Sequence, residues 1–152
     1  MNNAQSPEDL PKLFVEYWNQ RRPDLMAALF EEDADFINVV GLWWKNRQDI
    51  FKAHDYGLKM IFKNSVLSII KLKTKMLSQK SAVVHAKMKF EGQTPIAGEK
   101  GGTRRTVFTF IVRQDYEGIW WAVSAQNTDI VRGVETYITT EDGSLKPVDY
   151  RK

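Results

Sequence analysis

Residues 35–54 read DFINVVGLWWKNRQDIFKAH, and the rest of the chain is organised around them. Phe36, Asn38 and Val40 alternate with Ile37 and Val39, the period of two that a strand requires. Gly41 permits a tight turn. Trp43 and Trp44 then form a short second strand. Asn46 precedes Asp49 by three residues, the pattern of a capped helix start. Beyond it Ile50, Phe51, His54, Gly57, Leu58, Ile61 and Phe62 recur at helical spacing on one face. An amide, two indoles and an imidazole thus fall among apolar neighbours, a mixture suited to the lining of a small cavity.

Upstream, Ser6-Pro7-Glu8-Asp9 is a helix start, with Ser6 as cap, Pro7 in the first helical position and acids in the first turn. Leu10, Leu13, Phe14, Tyr17 and Trp18 trace one apolar face to about Gln20, where Arg21-Arg22-Pro23 ends the helix. A short second helix is expected from Pro23 to Phe30, followed by a polar connection at Glu31, Glu32 and Asp33. After Asn64 the period changes to two. Ile70, Leu72, Thr74 and Met76 alternate with Lys71, Lys73 and Lys75; Ala82, Val84, Ala86, Met88 and Phe90 alternate with Val83, His85, Lys87 and Lys89. A glycine-containing loop, expected to be mobile, leads to a long strand from Arg104 to Asp115. A turn at 116–118 leads to a last strand, Ile119 to Val131. There Trp120, Ala122, Ser124 and Gln126 take one face, and Trp121, Val123, Asn127 and Asp129 the other. Early helices and late antiparallel strands define an α+β fold, with helices covering one face of a curved sheet. Residues 1–131 make one domain and 132–152 a polar C-terminal extension.

The chain has 152 residues, 43% hydrophobic and 27% charged, enough for a single core. No apolar run approaches the ~20 residues of a spanning helix, and the N-terminus lacks a signal-peptide pattern. Cysteine is absent, which removes disulfides, thiol nucleophiles and thiolate metal sites. A cytoplasmic protein that engages no membrane is expected. The net charge is only +3. The alternating lysines read as a solvated strand face, so no nucleic-acid partner is expected. Only two histidines are present and no ligand trio has metal spacing. No phosphate-cradling loop and no nucleophile elbow occur. The expected cofactor is therefore none, and the expected metal none.

Several pieces carry a family resemblance: Tyr17-Trp18-Asn19, Leu29 through Phe36, Asn38-Val39-Val40-Gly41, Arg47-Gln48-Asp49-Ile50 with His54, Ala82 through Ala86, and Trp120 with Gln126-Asn127-Thr128. Together, from about Pro7 to Asp129, they resemble the nuclear transport factor 2-like superfamily, and within it SnoaL-like and SgcJ/EcaC-type (DUF4440-like) proteins. The resemblance implies a cone: a bent antiparallel sheet wrapped around the long helix, with a pocket between them. It also implies a homodimer packed through the sheet's outer face. Where many relatives place glycine before the arginine of the third helix, this chain has Asn46.

His54 is the candidate catalytic residue, either an acid/base in an apolar cavity or a hydrogen-bonded core histidine. Asn38 and Gln126 are candidate ligand-binding amides on facing strands, or a buried network holding the sheet. Trp18 and Trp43 pack against a flat ligand, or belong to the core. His85 belongs to the outer sheet face. These residues suit a pocket for a small hydrophobic or aromatic molecule. The chemistry they would support is cofactor-free isomerisation, dehydration or cyclisation. The alternative is a non-catalytic ligand-binding or dimerisation domain.

Overall fold

The computed structural model describes residues 2–151; Met1 and Lys152, the outer ends of the two expected segments, lie outside the described residues. The elements run α1 (Asp9–Asn19), α2 (Pro23–Ala27), β1 (Phe30–Ile37), β2 (Trp43–Trp44), α3 (Arg47–Lys59), β3 (Val66–Ser78), β4 (Ser81–Glu91), β5 (Arg104–Gln114), β6 (Trp120–Asp129), β7 (Thr136–Thr139) and β8 (Leu145–Val148). Six strands form one sheet in the order β2-β1-β6-β5-β4-β3, and β7 pairs with β8 alone. No helix among the described residues is long and apolar enough to cross a membrane.

The fold class is the α+β arrangement expected, with one topological correction. β1 and β6 pair in parallel, so the sheet is mixed rather than purely antiparallel. Chain order explains this: α3 and the β3–β5 meander intervene before β6 returns beside β1, and a parallel pair needs such a crossover. The core lies between the concave sheet face and the helices. Leu10, Phe14, Met26, Phe30, Ile50, Val84, Met88 and Val112 are fully buried there. At roughly 1.5–3 kcal/mol per buried large apolar side chain, this layer is the main attraction holding helices to sheet.

Local chemistry moved several boundaries. Ser6 does not cap α1 through its side chain. Instead the Asp9 carboxylate accepts the backbone N–H groups of Gln5 and Ser6, at 2.9 and 3.1 Å. α2 stops at Ala27, and the expected acidic connection belongs to β1, whose pairing with β6 is interrupted between Phe30 and Asp35. β1 ends at Ile37 because the chain turns at Gly41, which takes φ +87°. The expected polar tail contains a hairpin, β7–β8. The loop after β4 is anchored where the Thr94 N–H donates to the Ile61 carbonyl at 2.7 Å. Gly92 bends away in front of it; a Cβ there would sit 2.5 Å from the Asn64 carbonyl oxygen.

Candidate functional site

α3 is fixed before it reaches the cavity. Asn46 is extended, and its Oδ1 accepts the Asp49 N–H at 2.8 Å while its Nδ2 donates to the Asp49 carboxylate at 3.0 Å. Asn46 thus supplies a side-chain cap that glycine lacks. Arg47 Nε donates to the Phe30 carbonyl at 2.8 Å and ties the helix start to β1. Two turns further on, His54 points into a cavity of about 130 Å³ between α1, α3 and the sheet.

That cavity is mostly aromatic. Around the imidazole stand Phe36 at 5.1 Å, Phe14 and Trp44 at 5.8 Å and Trp18 at 6.3 Å between ring centroids, all edge-on. His54 is crowded by these rings, yet it keeps some surface, and that surface lines the cavity. Nδ1 lies 2.7 Å from the Ile50 carbonyl. A carbonyl can only accept, so Nδ1 carries the proton and Nε2 is left as a lone-pair acceptor. Burial pushes the His54 pKa below its ordinary 6.5; the Ile50 carbonyl opposes this more weakly. The imidazole is therefore neutral at neutral pH.

Polar groups gather toward one end of the cavity. Asn38 follows β1 rather than sitting within it. Its Oδ1 accepts the N–H groups of Val40 and Leu42, at 3.1 and 2.8 Å, so the amide both builds the turn and lines the cavity. Asn127 is a second lining amide, and its Oδ1 is buried without a hydrogen-bond partner among the described residues. Thr106 lines the same wall and donates to the Thr128 carbonyl at 2.7 Å. At the start of β5, Arg104 Nε pairs with Asp129 at 2.8 Å. Trp18 packs on Phe90, the ring beneath Arg104, with 5.8 Å between centroids, and donates from Nε1 to Ser65 Oγ at 3.0 Å.

Two expected pocket residues lie elsewhere. Gln126 is exposed on the outer sheet face, and Asn127 takes the inward position. The cause is a bulge: Ile111 pairs with Ser124 but Val112 pairs with Ala122, so Val123 is an extra residue. One extra residue reverses the parity of all that follow. Trp120 and Ala122 face in, and beyond the bulge it is Ala125 and Asn127 that do so, contrary to the expected outer placement of Asn127. Trp43 is 55% exposed, bonded to Asp35 at 2.8 Å and covered by Lys45, whereas Trp44 lines the cavity. Because β1 ends early, Trp44 rather than Trp43 pairs with the inward Phe36. The cavity thus brings together His54, Asn38 and Trp18 of the sequence candidates, and adds Trp44, Asn127, Thr106 and Arg104. His85 is exposed on the outer face. No cluster of three potential metal ligands occurs among the described residues.

No family model and no curated protein matches the chain in sequence. Solved structures do match it in fold. An uncharacterised protein with a cystatin-like fold from Caulobacter vibrioides superposes with a TM-score of 0.75 at 24% identity, over 82% of this chain and 87% of that one. A scytalone dehydratase-like protein from Novosphingobium aromaticivorans gives 0.70 at 16% identity, over 82% and 81%. A ketosteroid isomerase-like protein from Erwinia carotovora atroseptica gives 0.68 at 12% identity, over 82% and 93%. The fold is cystatin-like, the α+β architecture also called nuclear transport factor 2-like.

Proposed function

We propose that this chain is a small-molecule-binding domain of the SnoaL-like, SgcJ/EcaC type, whose internal pocket takes one small and mostly apolar organic molecule. The observation that carries the reading is His54: a neutral imidazole presenting Nε2 to an aromatic cavity of about 130 Å³. An apolar cavity of about 150 Å³ holds one benzene-sized molecule, so the occupant has a single ring or its equivalent. As an enzyme, the site supports proton transfer without a cofactor. Nε2 takes a proton from a C–H or O–H of the substrate and returns it to another position. The Asn38 and Asn127 amides offer N–H donors to the oxygen that gains charge. The likeness in fold to dehydratase-like and isomerase-like proteins supports this class of chemistry.

One observation favours the second reading, a binder without catalysis. Among the described residues His54 Nδ1 meets only the carbonyl of its own helix, so no carboxylate stabilises an imidazolium. Titration of the protein with one-ring fragments, followed by NMR, tests the shared pocket. Bound fragments should shift the His54 ring signals and the Asn127 side-chain amide, and His54→Gln should weaken binding about tenfold. Binding that leaves both signals still refutes the assignment. An unchanged turnover of a discovered substrate by His54→Ala would remove His54 as the proton-transfer group.

We also propose a homodimer packed through the outer sheet face. The centre of that face, Val107, Thr109, Ile111, Ser124 and Gln126, is uncharged, while its two margins carry opposite charge.

A further inference from the structure

We propose that the ligand of this pocket is an aromatic carboxylate, its ring among the aromatic side chains and its carboxylate held by Arg104. The inference rests on the pocket reading above and deepens it. Among the residues that line the cavity, Arg104 is the one formally charged side chain, since His54 is neutral. Asp129 meets this charge at one edge only, and a cation on an apolar wall gains from a second anionic partner.

The geometry presents the cation inward. Arg104 opens β5, and its guanidinium stands over the Phe90 ring with 5.7 Å between Cζ and the centroid. Nε donates to Asp129 Oδ1 at 2.8 Å. Among the described residues nothing accepts from the two terminal nitrogens, and these form the fork that a carboxylate grips with both oxygens. Asp129 does not fill that role. It holds the edge of the guanidinium and faces a separate outer cleft beside the C-terminal hairpin, lined by Val39, Tyr137 and Leu145. The Arg104–Asp129 pair therefore forms a partition, with the cation on the cavity side and the anion on the cleft side.

Position along the strands fits the same ligand. On the inner face, Arg104 and Thr106 precede Phe108 and Phe110, and Asn127 lies opposite Phe108. His54 packs on Phe36 and Phe14, at the deeper end. Trp18 bridges the interval, 5.8 Å from Phe90 and 6.3 Å from His54 between ring centroids, so a ring held at Arg104 points along Trp18 toward His54. A ring hydroxyl opposite the carboxylate would donate to Nε2, the acceptor waiting there.

Benzoate and its neutral counterpart benzamide separate the possibilities, with affinities taken from NMR shifts at His54 and Asn127. Wild-type protein should bind benzoate at least about tenfold more tightly than benzamide. Arg104→Gln should abolish that preference while benzamide affinity stays within about twofold, which also shows that the variant is folded. Arg104→Lys should retain part of the preference. Equal binding of both probes to the wild type, or an equal loss of both in Arg104→Gln, overturns the carboxylate assignment and leaves the pocket standing. If neither probe shifts His54, the pocket reading and this inference fall together.

Discussion

His54 is subject to two opposed effects: aromatic burial disfavours its charge, and the Ile50 carbonyl favours it. Burial is the larger, so the folded pKa lies below the value of about 6.5 that the unfolded chain keeps. Below pH 6.5 the unfolded state then binds more protons than the native state. Stability should be complete above pH 6.5 and fall as pH drops from there toward the lowered native pKa. Urea unfolding at pH 7.5 and 5.5 measures the loss, and His54→Gln, which cannot titrate, should show a smaller one. An identical loss in both proteins would mean that His54 is not the group responsible. The residue's place was legible from the sequence because helical periodicity sets it on an apolar face. Its tautomer was not, since that depends on the backbone carbonyl four residues earlier coming within 2.7 Å of the ring. The two tryptophans of β2 show the same limit. Adjacent strand residues must face opposite ways, but which one faces in depends on pairing with Phe36.

α3 was readable because its signals are local: Asn46 and Asp49 at its start, then apolar residues at period 3.6. β6 was readable as a strand but not in its facing. Nothing in Ala122-Val123-Ser124-Ala125 marks Val123 as the extra residue; the bulge exists only in pairing with β5. The consequence is large, because it exchanges Gln126 for Asn127 at the cavity wall. β1 starts earlier than its acidic run suggests because Phe30 pairs with Ala122 of β6, and Glu31 beside it meets Arg113 of β5 at 2.6 Å. The chain has no cysteine, so single cysteines report facing without background. Gln126→Cys should react rapidly with a water-soluble maleimide, and Asn127→Cys should react at least about tenfold more slowly in the native protein, with both equal in denaturant. The reverse order would mean that β6 lacks the bulge.

Across the whole molecule, charge is divided between the sheet margins. On the outer face of β3 and β4, Lys71 stands directly opposite Lys87, and Lys89 opposite Arg105 of β5. Like charges in register cost stability when nothing offsets them. Near the other margin, β1 carries Glu31, Glu32, Asp33 and Asp35. A twofold axis parallel to the strands through the sheet centre brings the lysine margin of one copy over the acidic margin of the second. Under the proposed homodimer, each margin therefore adds counter-charge to the other, beyond the Arg113–Glu31 and Lys89–Glu91 pairs within one copy. Exposed rim pairs of this kind weaken with salt. Sedimentation equilibrium should give a dimer whose dissociation constant rises between low and high salt. Lys71→Glu with Lys87→Glu sets acid against acid and should weaken it by about tenfold or more. A chain that stays monomeric at every concentration would refute the arrangement. A dimer indifferent to both salt and the double reversal would place the contact on another face.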